Sequence, residues 1–172
     1  MQEIIVYHAK CNKAPNAAMN EVIKARIPDP WNLPLEGYFF KKLSAILEHY
    51  FVSDMVWMKA FSDIDPCGLD LVAAVRAIPG YGDSVFGSYV DYLEHRGKLD
   101  DFIIAYAEKL PDDIFHKTLS RTTRSGEKMD RTVYKAMAHF FNHQTHHRGQ
   151  ISNILDWMNI ENNYSNMIFF DV

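Results

Sequence analysis

Four stretches of helical apolar periodicity, separated by segments that hold most of the proline and glycine, constrain the fold of this 172-residue chain most strongly. Apolar residues that recur at intervals of three and four place one apolar stripe along each helix. Four such helices bury their stripes by packing against one another, so the pattern predicts an all-α four-helix bundle. The length suits a single domain, residues 1–172, with a sizeable core.

The first two predicted helices lie on either side of a proline-rich segment. The first covers Gln2 to Lys24, and Pro15 is expected to kink or split it before RIPDPWNLP ends it. The second covers Glu36 to Phe61. Its core-facing row is predicted to be Phe39, Leu43, Ile46, Tyr50 and Trp57. A long loop follows, with a short helical turn at Leu69 to Ala77.

The third predicted helix begins near Asp83 or Ser84, because either side chain can accept from the free amides of a first turn, and it stops at Pro111. Beyond it, β-branched residues beside Ser125 and Gly126 indicate a short hairpin between helices three and four.

The fourth predicted helix covers Arg131 to Met158. Its buried stripe is expected to consist of Val133, Met137, Phe140, Ile151, Ile154 and Leu155. The adjacent aromatic residues of the C-terminal tail, Phe169 and Phe170, are expected to pack on the bundle.

Composition and charge argue against several classes of protein. The chain is 48% hydrophobic and 23% charged, which is ordinary for a globular domain. Its net charge of -4 gives no basis for binding phosphate backbones, so no nucleic-acid partner is expected. The sequence has no apolar run of membrane-spanning length, no secretory signal and only two isolated cysteines. These features predict a cytoplasmic protein without a membrane partner.

The fourth helix contains the segment HFFNHQTHHRGQ, with four histidines in nine residues. His143 and His147 are four residues apart, so they share one helix face and can meet one cation. His139 lies a further turn back, too far to join the same ion, and is interpreted as a neighbour. His146 is rotated by about 100° from His147 and should point elsewhere.

A third ligand must come from another element, and His49 is the candidate. It lies midway along the second helix, in the apolar segment LSAILEHYFVSDMVWM. A lone histidine on an apolar face is usually a buried side chain satisfied by a hydrogen bond. The pair on the fourth helix favours the interpretation of His49 as a ligand.

Three segments resemble a known family, the DinB-like metalloproteins (DinB/YfiT superfamily). NHQTHHRGQI, residues 142–151, resembles the signature on the last helix of that family, HYFVSDMVW, residues 49–57, resembles its second-helix motif, and YHAKCN, residues 7–12, is similar to the first-helix signature. The resemblance implies a four-helix bundle in which His49, His143 and His147 hold a divalent metal ion. Asp54 and Gln150 match further motif positions, as candidates to support the ligands.

Three neutral imidazoles leave open coordination positions, which is typical of a catalytic metal site. Branches of the superfamily include transferases and isomerases that use bacillithiol, mycothiol or glutathione. The resemblance therefore implies a thiol S-transferase that binds a low-molecular-weight thiol and an electrophile, and it also implies a homodimer. Zinc is the default metal and nickel its main rival, because imidazole suits both.

Two alternatives stay open at this point. One is a metal-dependent hydrolase, which needs a proton-transfer group. The carboxylate next to the predicted ligand, Glu48, should face away from the site. The other is a damage-inducible protein that binds metal without turnover. Beyond the ligands, no catalytic residue is assigned.

Overall fold

Helices dominate the structure, a computed structural model that describes residues 1–75, 84–122, 126–164, 166–170 and 172. In chain order the elements are α1 (Gln2–Arg26), α2 (Leu43–Ser62), α3 (Leu71–Ala74), α4 (Tyr89–Lys109), β1 (Thr118–Thr122), β2 (Lys128–Thr132) and α5 (Val133–Trp157). The two strands pair antiparallel, with Thr118 opposite Thr132. The predicted all-α bundle is confirmed, and the hairpin lies where it was expected.

The first helix, α1, is continuous through Pro15, so the expectation that this proline splits it is wrong. Proline removes one intrahelical hydrogen bond and costs about 3 kcal/mol in a helix interior. Pro15 is buried, and α1 packs along α4 over an extensive contact. This tertiary packing holds the helix together across the proline. The helix ends at Arg26, the first residue of the predicted terminator RIPDPWNLP and two residues beyond the predicted end at Lys24.

The second helix, α2, begins at Leu43 rather than Glu36, because the preceding residues form a hydrogen-bonded loop. The Leu35 amide donates to the Lys41 carbonyl at 2.9 Å, and the Leu43 amide donates to the Leu33 carbonyl at 3.0 Å. Phe39 therefore lies outside the helix and is 90% exposed, so its predicted place in the core is wrong. The other predicted core residues of α2 are buried.

The helix α4, which corresponds to the third predicted helix, begins at Tyr89 rather than near Asp83 or Ser84. Ser88 caps it, since its hydroxyl oxygen accepts from the Asp91 amide at 3.1 Å. The predicted turn before α4 is present as the short helix α3. Asp83, the last two residues of that predicted turn and Ser125 of the hairpin lie outside the residues that the structure describes.

The predicted buried row of α5 is buried throughout. The tail behaves differently, because Phe169 is 77% exposed and the expectation that it packs on the bundle is wrong. Tyr164, five residues earlier, is the tail residue that inserts into the core. In the described part of the chain, no helix combines the length and apolar character that crossing a membrane requires.

A buried ion cluster crosses the middle of the bundle. Arg96 on α4 donates to Asp54 on α2 and to Asp100 on α4, each at 2.7 Å. Asn16 on α1 donates to Asp100 at 3.0 Å and accepts from Arg148 on α5 at 3.1 Å. All five side chains are nearly inaccessible to solvent. The cluster therefore joins all four long helices through polar contacts.

Burial and ion pairing shift the pKa values of the Asp54 and Asp100 carboxyl groups in opposite directions. Burial raises the pKa of Asp54 to about 7 and also raises that of Asp100, while the adjacent Arg96 guanidinium lowers both. Buried charges are costly unless they are paired. Arg96 is therefore the group that opposes burial and limits the rise of both carboxyl pKa values.

Replacing Arg96 with leucine should lower the free energy of unfolding at pH 7 by about 3–5 kcal/mol, because both buried carboxylates lose their cation. Urea unfolding measures this change. The matched control is Lys98→Leu on the same helix, which breaks the exposed ion pair with Glu94. That control should change stability little, because water screens exposed pairs.

The loss caused by Arg96→Leu should also be smaller at pH 5 than at pH 7. Without the guanidinium, the carboxyl pKa values of the folded state rise further above their unfolded values. The folded state then binds more protons, so the variant gains stability as the pH falls toward the unfolded pKa. An equal loss at both pH values would contradict this account of the cluster.

Candidate metal centre

Three histidines converge where α2 faces α5. One nitrogen each of His49, His143 and His147 lie within 4.8 Å of one another. The two Nε2 atoms of His143 and His147 are 3.0 Å apart, and the His49 ring centroid lies 4.9 Å from that of His147. Nitrogens bound to one tetrahedral zinc ion are separated by about 3.3 Å, given bonds of about 2.0–2.1 Å. The arrangement fits one ion.

Helix geometry explains why these side chains meet. His143 and His147 are one turn apart on α5, so their rings lie on one face of that helix. On α2, Ile46 and Tyr50 are buried, and the ring of the neighbouring His49 lies against that of His147 on α5. His49 and His143 are half-buried and His147 is buried, so the cluster lies at the edge of the core, where a small molecule can reach it.

Burial makes all three imidazoles weak bases. It lowers the pKa of His49, it lowers that of His143 to about 4, and it lowers that of His147 to about 3. In the last two cases the neighbouring imidazoles add to the effect, because a second positive charge nearby is unfavourable. The three rings are therefore neutral at pH 7, which is the form that binds a metal ion.

Gln150, predicted from the motif as a supporting residue, lies against one of these rings. Its Oε1 is 2.9 Å from Nδ1 of His147 and accepts from it, so the proton resides on Nδ1. Nε2 of His147 is left as an acceptor that faces the other two rings. Such an outer contact fixes both the tautomer and the orientation of a ligand histidine.

Asp54, the other supporting candidate, has its ion pair with Arg96 in the buried cluster. Arg148, the residue after His147, donates to Asn12 on α1 at 2.5 Å. Adjacent residues of α5 thus belong to the two sites: His147 to the candidate metal centre and Arg148 to the buried ion cluster.

The remaining histidines of the motif surround the centre without joining it. His139 packs between Trp57 and His143, with ring centroids 5.2 and 6.0 Å away. The His146 ring is 5.1 Å from His147, but this side chain is exposed to solvent. Within the described residues, neither contributes to the group of three. Both sequence interpretations agree with this placement.

One residue at the site, Phe40, was missed by the sequence interpretation. The Phe40 ring lies 5.1 Å from the ring of His49 and 6.1 Å from that of His147. Glu48 was expected to face away from the site, and its Oε1 accepts from the amides of Val85 and Phe86, at 2.7 and 3.1 Å. The only available signal for Phe40 was three consecutive aromatics after Gly37, and the predicted helical register concealed it.

The fold and the site together define a helical bundle in which three histidines from two helices could hold one metal ion. Comparison with protein families then identifies which bundle this is. The model of the DinB family matches residues 7–158, which is most of the chain. The protein therefore belongs to the DinB family. Neither the curated proteins nor the solved structures contain a significant match to it.

Replacing His49 or His147 with alanine should weaken binding of one Co²⁺ per chain by at least about 100-fold, because each variant removes a direct ligand. The cobalt d–d absorption bands report both binding and coordination number. His139→Ala and His146→Ala are the controls and should still bind one ion with tetrahedral spectra. Equal cobalt affinity in all four variants would exclude this centre.

Cobalt affinity should fall less steeply between pH 7.5 and about 5.5 than it would at three histidines of ordinary pKa, because burial lowers the pKa of all three. The lowered pKa values mean that protons compete for these nitrogens only as the pH approaches about 4 at His143 and about 3 at His147. Histidines with the ordinary pKa of about 6.5 would lose affinity steeply below that pH. Titrations at several pH values distinguish the two cases, and a steep loss that begins near pH 6.5 would contradict the burial argument.

Proposed function

We propose that the protein is a divalent-metal-dependent transferase that joins the sulfur of a low-molecular-weight thiol to an electrophilic small molecule. The observation that carries the proposal is the convergence of three neutral imidazoles from two helices. In the described residues this group of ligand atoms contains no carboxylate. Neutral ligands leave the full charge of the ion available to a further ligand, and three of them leave a position open.

A divalent ion held there would act as a Lewis acid that lowers the pKa of a thiol, so that sulfur reacts as the thiolate near neutral pH. The protein supplies the rest of the site. His49, His143 and His147 bind the ion, and Gln150 keeps His147 in the correct tautomer. Phe40 packs against the rings of His49 and His147.

The placement of nearby carboxylates favours thiol transfer over hydrolysis. A hydrolase needs a group that accepts a proton from the attacking water. On α2, Glu48 accepts from two backbone amides and Asp54 is paired with Arg96 inside the core. Both acidic side chains of that helix are thus engaged. A thiol, being far more acidic than water, needs no such base once its pKa is lowered.

The proposal includes zinc as the resident metal, with nickel as its rival, because both are bound well by imidazole nitrogen. It also includes a thiol such as bacillithiol, mycothiol or glutathione as one substrate, and a homodimer as the assembled form. The net charge of -4 supports a small-molecule partner rather than nucleic acid.

The zinc- and nickel-loaded proteins should each be incubated with one thiol and monochlorobimane, an electrophile that becomes fluorescent on alkylation. In the reaction a carbon–sulfur bond forms, the carbon–chlorine bond breaks, chloride leaves with the electron pair, and the thiol proton goes to solvent. The rate should fall at least about 100-fold in His147→Ala, which loses a ligand. The matched control, His139→Ala, lies outside the group of three ligands and should keep the rate.

The same preparations should be tested with p-nitrophenyl acetate in the absence of thiol. Metal-dependent ester cleavage without thiol transfer would replace the proposal with the hydrolase alternative. Retention of one metal ion without either reaction would indicate a metal-binding protein without turnover. Either result would overturn the transferase proposal.

A further inference from the structure

A second feature of the site is a cavity of about 520 Å³ between α5 and the loop that precedes α2. Pockets of about 300–1,000 Å³ are the size that small molecules occupy. The cavity adjoins the metal centre because two residues belong to both. Phe40 lines the cavity and contacts His49 and His147, and Gln150 lines it while accepting from His147.

The loop wall of the cavity is held by specific hydrogen bonds. Lys41 makes two of them. Its carbonyl accepts from the Leu35 amide, and its ammonium donates to the Tyr38 carbonyl at 2.8 Å. The Tyr38 hydroxyl donates to Asn153 on α5 at 3.2 Å, which ties the loop to the opposite wall. Gly37, with φ of +81°, permits the turn that presents the aromatic residues. The wall is therefore defined before any ligand binds.

Three consecutive aromatic residues form that wall, and one of them is exposed to an unusual degree. Phe39 is 90% exposed, with its ring edge-on to Phe40 at 5.2 Å between centroids. A planar ring bound in the cavity could contact both side chains, and aromatic rings gain from edge-to-face and offset packing. Burial of Phe39 against such a ligand would remove apolar surface from water.

The polar groups of the cavity indicate the charge of its ligand. They are a phenol, a hydroxyl, an imidazole and two carboxamides, contributed by Tyr38, Thr145, His146, Gln150 and Asn153. Among the described residues that line the cavity there is no carboxylate, ammonium or guanidinium group. A charged ligand would lose hydration here without gaining an opposite charge. The lining therefore suits an uncharged molecule.

We propose that this cavity binds an uncharged small molecule with a planar ring, and that this molecule is the electrophile of the transfer reaction. The inference that the cavity binds such a molecule rests only on the residues that line it. Its use as the electrophile site rests on the proposed function, since the shared residues Phe40 and Gln150 place a bound molecule next to the metal ligands.

Two fluorescent probes with the same rings test the proposal on metal-free protein. N-phenyl-1-naphthylamine is neutral, and 8-anilinonaphthalene-1-sulfonate adds one negative charge. We expect the neutral probe to bind with enhanced fluorescence and the anionic probe to bind at least about tenfold more weakly, because the sulfonate would be desolvated without a cation. Equal affinity for both probes would overturn the inference about charge.

Two glycines provide a matched pair of variants that locate the probe. A Cβ atom at Gly149, which lines the cavity, or at Gly97 on α4 would meet nothing within 4 Å, so both helices tolerate a side chain. Gly149→Phe fills the cavity and should weaken binding of the neutral probe about tenfold or more. Gly97→Phe makes the same change elsewhere and should bind the probe like the unaltered protein.

A further variant tests the same cavity in case Gly149→Phe does not fold. Phe39→Ala removes an exposed ring, so the fold should be unaffected while probe affinity falls several-fold. A second apolar cavity, of about 390 Å³ between α1 and α5, could also take the probe. Unchanged binding in both Gly149→Phe and Phe39→Ala would assign the probe to that other cavity and overturn the proposal.

The outcomes separate this inference from the proposed function. Thiol transfer that persists while Gly149→Phe abolishes only probe binding would show that the electrophile binds elsewhere. Probe binding in the cavity without any transfer activity would leave the neutral-ligand site intact and refute the transferase. In Gly149→Phe, retained Co²⁺ binding would confirm that the metal ligands are undisturbed.

Discussion

The ion cluster around Arg96 is the interaction on which the rest of this structure depends. Isolated charges inside a helical bundle are strongly unfavourable, so Asp54 and Asp100 are tolerated only where the guanidinium reaches both. Buried ion pairs often contribute little net stability compared with apolar packing. Their effect is on register, because sliding α2 along α4 would separate the charges without releasing them to water.

The metal centre depends on that register. Asp54 lies a little more than one turn beyond His49 on α2, and Arg148 directly follows His147 on α5. The same polar contacts that align the four helices thus hold the two ligand-bearing helices against each other. Three imidazoles brought within 4.8 Å would otherwise repel if protonated, and burial prevents this by lowering their pKa values.

One helix, α5, contributes residues to the histidine group, to the packing against α1 and to the cavity. Its face toward α2 carries His143 and His147, and Arg148 points toward α1. Farther along the helix, Gly149 and Asn153 line the cavity beside the loop that precedes α2. This division follows from the helical repeat, which turns adjacent residues by about 100°. One segment of a helix can therefore supply candidate metal ligands, helix-packing contacts and a pocket wall within about three turns.

The sequence by itself determined the helical class, the apolar stripe of α5 and the i, i+4 histidine pair, since all three depend on local periodicity. It also indicated the hairpin, whose pairing is between neighbouring segments. It did not determine that α2 begins at Leu43, that Phe39 and Phe169 are exposed, or that α1 continues through Pro15. The start of α2 and the exposure of Phe39 depend on the hydrogen-bonded loop before that helix, and the continuity of α1 depends on its packing against α4. Only the tertiary structure decided them, and only it brought His49 to the other two histidines, because helix packing, not sequence spacing, sets distances between helices.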